Sequence, residues 1–473
     1  MGMRGAFLTF FIIRFFVGVQ SHVSAQPLAF SQRYYVDPNA SFVGNMAVAD
    51  LNGDGKLDVV TANSGGNSLG FNFITIFTND STGDLRSNAI LQVATDPWCV
   101  VAADLFGRGK EDLVVSCEGQ SITPPGIDNA YITIFTNNGA GVYGSNATYS
   151  TAADSGGNCV AADFNGDGRL DLAVVNFDFF TGASVLTILT NNGSGGFGLS
   201  ASINAGVGAQ DVHAEDVNGD GSMDLVTGNF YSTLTVFTNN GFGVFGSNSV
   251  LNSWTYHHTF AVADVNGDGS PDLITADFNT NTLSIFTNNG TGAFTLSATI
   301  GVGNAPEFVV AADLNGDGST DLISLNEDNM DGMVNNSSLT ILTNDGSGDF
   351  GYNTTILVDF EPGMGLAADL GNDGEMDLVV NSGWFSRFTV LTQVPFVSPV
   401  LQIQNAGQNT SLSWTCSSSD FLIQTNSNPN TSNWADSGYP VAMSLNYTNF
   451  SITLTSAPAG NMFFRLKQQT SGY

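Results

Sequence analysis

Short apolar runs rich in Val, Ile, Thr and Phe recur along the chain and alternate with turns rich in Gly, Asn and Asp. Runs of this composition are typical of β-strands. Asn-Gly pairs lie between successive runs at 138–139, 192–193, 240–241 and 289–290. They are the strongest short-range signal for a hairpin, because both residues tolerate positive φ. The pattern predicts an all-β protein built from antiparallel units of four strands.

An acidic turn follows the first strand of every unit. Seven such turns are present, and they begin at Asp50, Asp104, Asp163, Asp216, Asp264, Asp313 and Asp369. Seven repeats of a four-stranded unit predict a seven-bladed β-propeller. Small residues in the first strands suit the crowded innermost position of a blade. The third strands supply bulky core residues, namely Phe77, Phe135, Phe237 and Phe286.

The two ends of the chain predict how the ring closes. The seventh unit stops one strand short, and residues 30–37 form an unassigned strand before the first unit. We expect this strand to complete the last blade, so that the propeller spans 26–395. From 396 to 473, alternating strands separated by Asn, Ser and Pro turns predict a small β-sandwich. Its Leu412-Ser-Trp414 and Phe463-Phe-Arg465 motifs resemble fibronectin-type-III-like carboxy-terminal modules of secreted bacterial proteins.

The chemistry of the turns is clearest in Asp163-Phe-Asn165-Gly-Asp167-Gly168-Arg-Leu-Asp171. Carboxylate or amide side chains occupy positions one, three, five and nine, and the glycine at position six permits a sharp turn. Oxygen donors in this arrangement are typical of calcium sites. Three carboxylates in so short a turn would repel one another without a cation. A plain Asx turn without metal is the alternative.

The repeated sequence resembles the FG-GAP or VCBS repeats of integrin-α-type propellers over residues 30–395. This resemblance implies calcium in the turn between the first two strands of a blade, and ligands on the opposite face. Five turns keep the full pattern. Their implied calcium ligands, besides the carbonyl of position seven, are Asp50, Asn52, Asp54 and Asp58; Asp163, Asn165, Asp167 and Asp171; Asp216, Asn218, Asp220 and Asp224; Asp264, Asn266, Asp268 and Asp272; and Asp313, Asn315, Asp317 and Asp321.

The second turn departs from the pattern. Phe106 and Arg108 replace the third and fifth ligands. We expect Arg108 to bridge Asp104 and Asp112 and to take the place of the ion.

The seventh turn keeps three ligands, Asp369, Asp373 and Asp377, but has Gly371 at the third position. A water molecule or Asn372 could complete its coordination. We therefore expect about five strong calcium sites, a weaker sixth in the seventh turn, and none in the Asp104 turn.

Charge and the amino terminus restrict the partners and the location. The formal net charge is −32, although only 11% of residues are charged, so the acidity is concentrated in the turns. Eleven Lys and Arg residues form no basic patch, which argues against nucleic acid as a partner. Residues 1–25 have the features of a secretory signal peptide, with a membrane anchor as the alternative. We expect an exported, bacterial-type protein, secreted or at the cell surface, with no membrane span after signal removal.

Four cysteines are present. Cys99 and Cys117 flank the second turn at equal distances, so in a hairpin they would face one another, and an exported protein could oxidise them. Whether they form a disulfide is left open by the sequence. Cys159 and Cys416 have no evident partner and are interpreted as buried thiols.

Aromatic and imidazole side chains are predicted on the face opposite the calcium turns. The candidate ligand-binding residues are Trp98, Phe179, Tyr231, His257, His258 and Trp384. Aromatic rings beside Asn and Asp suit stacking on sugars. The alternative is that these rings only pack between blades.

Three functions are compatible with these features. The first is recognition or adhesion, with a glycan or an extracellular protein as the ligand. The second is a polysaccharide-degrading enzyme of the lyase type, for which Tyr256, His257 and His258 form the one suggestive cluster. Basic residues are scarce, and adjacent strand residues point to opposite faces, so the sequence favours a protein that is not an enzyme. The third is a purely structural surface component.

Overall fold

The computed structural model describes residues 28–394 with short gaps, and beyond them only the backbone of strands between 402 and 468. The gaps are 38–39, 41, 65–71, 81–82, 94–95, 120–129, 152–154, 179–180, 230–232, 253–258, 328–336, 359 and 383–385. The predicted signal peptide, Cys416 and five of the six candidate ligand-binding residues lie outside the described residues. Those five are Phe179, Tyr231, His257, His258 and Trp384.

The chain between 42 and 207 forms three consecutive four-stranded antiparallel sheets, which are blades 1 to 3. Blade 1 consists of β2 (Phe42–Ala49), β3 (Asp58–Ser64), β4 (Phe73–Asn79) and β5 (Leu85–Gln92). Blade 2 consists of β6 (Pro97–Ala103), β7 (Asp112–Cys117), β8 (Tyr131–Asn137) and β9 (Tyr143–Ser150). Blade 3 consists of β10 (Ser155–Ala162), β11 (Asp171–Phe177), β12 (Ala183–Asn191) and β13 (Phe197–Val207).

The next three sheets repeat the same strand order as blades 4 to 6. Blade 4 consists of β14 (Ala209–Glu215), β15 (Asp224–Asn229), β16 (Thr233–Asn239) and β17 (Phe245–Asn252). Blade 5 consists of β18 (Phe260–Ala263), β19 (Asp272–Asp277), β20 (Thr282–Asn288) and β21 (Phe294–Gly301). Blade 6 consists of β22 (Pro306–Ala312), β23 (Asp321–Asn326), β24 (Ser338–Asn344) and β25 (Phe350–Leu357).

The seventh blade joins strands from distant parts of the chain. Its strands β26 (Pro362–Ala368), β27 (Asp377–Ser382) and β28 (Arg387–Val394) are consecutive, and its outer strand is β1 (Ala29–Val36). β1 pairs antiparallel with β28 over its whole length, from Ala29 opposite Val394 to Val36 opposite Arg387. The protein is therefore a seven-bladed β-propeller in which the last blade takes its fourth strand from the amino-terminal side.

Seven hydrophobic clusters hold the blades together, and each cluster lies between two neighbouring blades. The cluster between blades 7 and 1 contains Phe388 of β28 and Phe77 of β4, whose rings pack edge to face at 5.1 Å. The four third-strand Phe residues predicted as core are each at most 6% exposed. Because every wedge is filled in this way, burial of apolar surface closes the ring without a covalent link.

A β-bulge interrupts the innermost strand in six of the described blades, at the end remote from the acidic turn. In blade 2 the bulge lies at Trp98, so Cys99 is opposite Ser116 while Cys117 is opposite Pro97. The expectation that Cys99 and Cys117 face one another is therefore wrong. Equal spacing from the turn places two residues opposite each other only in a regular ladder, and the extra residue of the bulge shifts the register.

The backbone strands after residue 400 form two further small sheets. One has the order β29 (Gln402–Ala406), β30 (Asn409–Thr415), β34 (Asn449–Leu454) and β33 (Ala442–Met443). The other has the order β32 (Ala435–Asp436), β31 (Phe421–Asn426) and β35 (Phe463–Gln468). All of these pairings are antiparallel.

Candidate metal loops

The first carboxylate of each acidic turn is held by amides of its own loop. In blade 1, Asp50 Oδ1 accepts hydrogen bonds from the amides of Gly53 at 2.7 Å and Asp54 at 3.2 Å, and Oδ2 accepts one from Gly55 at 2.8 Å. The loop glycines have φ of 78° and 82°, and a Cβ at Gly53 would lie 2.7 Å from the carbonyl oxygen of Gly139 in blade 2. Glycine is therefore required by both conformation and space.

The same arrangement recurs in the other four full turns. Each first carboxylate accepts the amides of positions four and six at 2.7–2.8 Å. An ionised carboxylate has about four acceptor positions, so these bonds orient the group and leave lone pairs for a cation.

The ninth carboxylate is buried and anchors two parts of its blade. Asp58 is 0% exposed; its Oδ2 accepts the amide of Leu51 at 3.2 Å, and its Oδ1 accepts that of Asn79 at 2.8 Å. Burial raises the pKa of Asp58 to about 6, the two amides oppose this shift, and the charges of Asp54 and Asp50 add to it. Burial likewise raises the pKa of Asp224 and of Asp321 to about 6.

The side chains at positions three and five lie at the surface of the loop. Asn52 Oδ1 accepts the amide of Asp54 at 2.9 Å, and the side chain of Asp54 is 40% exposed. Basic residues at position seven pair with the fifth carboxylate in two turns. Lys56 lies 3.8 Å from Asp54, and Arg169 lies 3.0 Å from Asp167.

The donors of these turns fit a hard cation by their chemistry, since all of them are oxygens of carboxylate, amide or carbonyl groups. Within the described residues, however, no three His, Cys, Asp or Glu side chains come together as a metal centre. The loop amides that hold the carboxylates also occur in a plain Asx turn, so these hydrogen bonds are compatible with either interpretation of the loop. These residues would hold calcium through the first, third, fifth and ninth side chains.

The second turn places a protein cation beside the ninth carboxylate. Arg108 Nη2 donates to Asp112 Oδ1 at 2.5 Å, and the guanidinium lies 5.1 Å from the centre of the Phe106 ring. Asp104 is contacted by the backbone amides of Arg108 and Gly109, at 2.8 and 2.6 Å. The guanidinium therefore pairs with Asp112 and does not form the expected bridge to Asp104, whose oxygens are held by the loop amides. Burial alone would raise the pKa of Asp104, but these amides and the guanidinium charge lower it. The guanidinium of Arg108 thus stacks on the ring of Phe106, and these are the two residues that replace the third and fifth oxygen donors.

The seventh turn keeps its fold despite the missing third ligand. Asp369 accepts the amides of Asp373 at 3.0 Å and Gly374 at 2.8 Å, and Asp377 accepts that of Gly371 at 3.1 Å. Asn372 has a φ of 53°, in the left-handed region that the glycine of position four occupies in the full turns.

A ring of side-chain amides connects the seven turns, and the sequence reasoning missed it. Asn137 of blade 2 donates to the carbonyl of Leu51 in the turn of blade 1 at 2.9 Å, and to Glu111 in its own turn at 3.0 Å. The equivalent Asn residues make the same two bonds, and Gln393 makes them when its side-chain amide is oriented with Nε2 toward the carbonyls of Leu314 and Met376. We call them the amide ring: Asn79, Asn137, Asn191, Asn239, Asn288, Asn344 and Gln393.

The amide ring also contacts the ninth carboxylates. In every blade the backbone amide of the ring residue donates to the ninth Asp, as from Asn344 to Asp321 at 2.8 Å. Each turn is thereby tied to its own third strand and to the next blade. The repeated Asn before the Asn-Gly turn was the available signal, but its partner in the neighbouring blade is not visible in sequence.

The face opposite the turns carries the bulges. Trp98 lies on the bulge of β6 and is 38% exposed, so it is presented at the surface near the start of an innermost strand. Bulges re-aim side chains in this way, often beside binding sites. Trp98 is the one candidate ligand-binding residue within the described part of the chain.

Carboxylates surround the equivalent bulge of blade 6. Glu307 lies at this bulge, with Glu327 after β23 and Glu361 before β26. Burial, the charge of Glu327, a hydrogen bond with that carboxyl group and the charge of Glu361 raise the pKa of Glu307 to about 8. In blade 2, burial and the charge of Asp96 raise the pKa of Glu118 to about 7. The face opposite the turns therefore also carries clustered carboxyl groups.

Glu307→Gln should stabilise the propeller at high pH. Between pH 4.5 and about 8 the folded chain keeps a proton that the unfolded chain has lost, so this site lowers stability as the pH rises through that range. We expect the variant to melt about 2–4 °C above the natural protein at pH 9 and at the same temperature at pH 4.

Calorimetry at both pH values, with Glu361→Gln as the less buried control, provides the measurement. Equal melting temperatures of Glu307→Gln and the natural protein at pH 9 would show that Glu307 is not held against ionisation.

Asp211, near the start of β14, is buried and is held by hydrogen bonds within the fold. It is 5% exposed and accepts hydrogen bonds from Asn158 Nδ2 of blade 3 at 2.7 Å and from the amide of Val212 at 2.9 Å. His213 Nε2 lies 3.5 Å from its second oxygen. Burial alone would raise the pKa of Asp211, but His213 and these hydrogen bonds lower it.

The fold and the repeated acidic turns define a class, that of seven-bladed propellers built from one repeated acidic-turn motif. A family model described as FG-GAP-like repeat matches residues 30–115, 122–174, 216–275 and 264–324, together more than half of the chain. The chain belongs to the FG-GAP-like repeat family. No curated protein sequence matches it.

Solved structures of other proteins resemble the propeller, among them two crystal structures of one complex. The crystal structure of BBS1N in complex with ARL6DN, soaked with mercury, has a TM-score of 0.53 at 10% identity and covers 78% of this chain and 98% of that chain. The same complex soaked with lead has a TM-score of 0.53 at 10% identity and covers 79% and 98%. At this identity the likeness shows the fold alone. In the part of the chain that the structure describes, no helix has the length and apolar character needed to cross a membrane.

Proposed function

We propose that this protein is a calcium-stabilised recognition or adhesion module whose ligand binds the face opposite the acidic turns. The observation that carries the proposal is the difference between the two faces. One face repeats a single turn seven times, joined by the amide ring. The other differs from blade to blade, with Trp98 on the bulge of blade 2, Gln210 on that of blade 4 and Glu307 on that of blade 6. A fixed scaffold with one variable face is the usual arrangement in binding proteins.

The calcium ions have a structural role in this proposal. They neutralise the clustered carboxylates of the five full turns, bind more weakly in the Asp369 turn, and are replaced by Arg108 in the Asp104 turn. The pKa values of about 6 at Asp58, Asp224 and Asp321 support the need for a cation, because burial and neighbouring charges disfavour ionisation there.

A protein ligand with basic side chains fits the opposite face best. Burial and neighbouring carboxylates raise the pKa of Glu118 and Glu307, so a Lys or Arg of the ligand would favour their ionised form and gain a charge partner there. Trp98 supplies an exposed aromatic anchor. The similarly folded BBS1N crystallised in complex with ARL6DN, which is consistent with a propeller that binds a protein. The exposed Trp98 also suits a glycan, which remains the second candidate ligand.

Export and the carboxy-terminal module complete the proposal. Residues 1–25 would direct secretion, and extracellular fluid would supply calcium at concentrations that match weak structural sites. Residues 396–473 would form a β-sandwich that carries or spaces the propeller.

Selection of binders tests this proposal. The full chain in calcium is screened against a displayed peptide library and, separately, against a glycan array. We expect basic peptides to be enriched, and Trp98→Ala to weaken their binding about tenfold or more.

The matched control is Phe242→Ala, which removes a 79% exposed aromatic side chain from the face that carries the turns. This face is the alternative place for a ligand, because it holds a pocket of about 390 Å³ between the turns of blades 3 and 4, lined by Asp163, Met223 and Gly241. Binders that depend on Phe242 and not on Trp98 would place the ligand on the wrong face for this proposal. Glycan binding that depends on Trp98 would support the proposed binding face but would show that the ligand is a glycan and not a basic protein.

A further inference from the structure

Two cysteines from neighbouring blades are in contact near the centre of the propeller. Cys99 lies on β6 of blade 2 and Cys159 on β10 of blade 3, and their Sγ atoms are 3.6 Å apart. Both side chains are buried, at 3% and 6% exposure, within the same cluster between blades 2 and 3. This separation is that of two sulfur atoms in van der Waals contact, so a side-chain rotation and a small backbone adjustment would bring them to bonding distance.

The β-bulges create this contact. The bulge of blade 2 moves Cys99 out of register with Cys117, and the bulge of blade 3 lies between Gly156 and Cys159. Cys117 packs in the cluster between blades 1 and 2, on the other side of the sheet. Two thiols on innermost strands of adjacent blades thus meet, although sixty residues of chain separate them.

We propose that Cys99 and Cys159 form a disulfide between blades 2 and 3 when the protein folds in an oxidising compartment. The oxidant is a small-molecule disulfide such as oxidised glutathione. One thiolate attacks it and forms a mixed disulfide, which releases one glutathione thiol. The second cysteine then displaces the other glutathione, so that the two protein thiols lose two electrons and two protons and two molecules of reduced glutathione form.

Timing follows from the surroundings of the pair. The hydrogen bond with Cys99 and burial raise the pKa of Cys159 well above its usual value. Since the thiolate is the attacking species, the folded reduced protein should react slowly. The bond therefore forms while blades 2 and 3 assemble, before the wedge between them is sealed.

The position of the link suggests what it stabilises. Blade 2 carries the turn in which Arg108 forms an ion pair with Asp112, whereas five of the other turns keep the full pattern of oxygen donors. A cross-link that closes a loop of about sixty residues restricts the unfolded chain and favours the native ring. The disulfide would fasten the innermost strand of blade 2 to blade 3, independently of metal.

Peptide mapping tests the proposal directly. The full chain is secreted into a bacterial periplasm, and a second sample is refolded from denaturant in mixed reduced and oxidised glutathione. Free thiols are alkylated under denaturing conditions before digestion. We expect two of the four cysteines to escape alkylation, with the peptides of Cys99 and Cys159 joined. Alkylation of all four cysteines in both samples, or a link that contains Cys117, would overturn the proposal.

Variants and a stability measurement provide the control. Cys117→Ser should keep the link, whereas Cys159→Ser and Cys99→Ser should lose it. Reduction should lower the melting temperature of the natural protein by about 5 °C or more and leave that of Cys99→Ser unchanged. An equal effect of reductant on Cys99→Ser would assign the stabilisation to another bond and contradict the assignment.

Discussion

Removing calcium with EDTA is expected to lower the melting temperature of the full chain by about 10 °C or more. Extracellular calcium modules often have dissociation constants of about 0.1–1 mM, so a site in 5 mM calcium contributes roughly 1–2 kcal/mol by mass action. Five such sites together contribute roughly 5–10 kcal/mol, which is comparable to the whole stability of many domains. Removal of the ion also leaves the carboxylates of each turn without a neutralising charge, and their mutual repulsion lowers the stability further.

Differential scanning calorimetry in 5 mM calcium and in EDTA measures this effect. Restoring excess calcium after chelation should return the original melting temperature, and magnesium should restore it only in part, because it demands a smaller octahedral site. A melting temperature unmoved by EDTA would favour the plain Asx turn.

Asp321→Ala is expected to lower the melting temperature by about 5–10 °C even in EDTA. Asp321 is fully buried and accepts the amides of Leu314 at 3.1 Å and Asn344 at 2.8 Å. Its removal leaves two buried donors unpaired, at about 1–3 kcal/mol each. In calcium the effect should be larger, because one ligand of the ion is also lost.

The matched control is Asp317→Ala in the same turn. Asp317 lies at the surface and accepts the amide of Ser319 and the side-chain amide of Asn315. In EDTA this variant should melt within about 2 °C of the natural protein, whereas in calcium it should lose about one fifth of the calcium-induced rise. If Asp321→Ala and Asp317→Ala behave alike in EDTA, the anchoring role assigned to the ninth carboxylate is wrong.

The seven-bladed propeller is confirmed, and it was predictable because each blade repeats the same strand pattern. An error in the prediction of one strand does not change the predicted fold when six other copies of the pattern agree. The small residues before Asp104 and the Phe residues of the third strands were informative for the same reason, since they recur at equivalent positions of many blades.

Features that depend on strand register or on contacts between blades were harder to predict. The bulge at Trp98 adds one residue directly after Pro97, and a proline there is as compatible with the start of a regular strand as with a bulge. The partner of Cys99 depends on that added residue. The cluster around Glu307 joins three distant segments. Spacing along a strand does not report such contacts, because they depend on how neighbouring blades are rotated about the axis.

The amide ring was predictable in part. Its Asn residues repeat as regularly as the turns, so they are visible in the sequence. Their function depends on the carbonyl of position two in the preceding blade, as in the bond from Asn191 to Leu105 at 2.7 Å. The calcium ligands proposed from the resemblance stay a prediction, since the loop amides account for the fold of the turns with or without an ion.

Anomalous diffraction from crystals of the full chain grown in millimolar calcium tests the central claim most directly. The account predicts strong calcium peaks in the turns that begin at Asp50, Asp163, Asp216, Asp264 and Asp313, a weaker peak at Asp369 and none at Asp104. The double variant F106N/R108D restores the full pattern and should gain a peak in the second turn. Absence of calcium at Asp163, or a calcium peak beside Arg108 in the natural protein, would contradict the account.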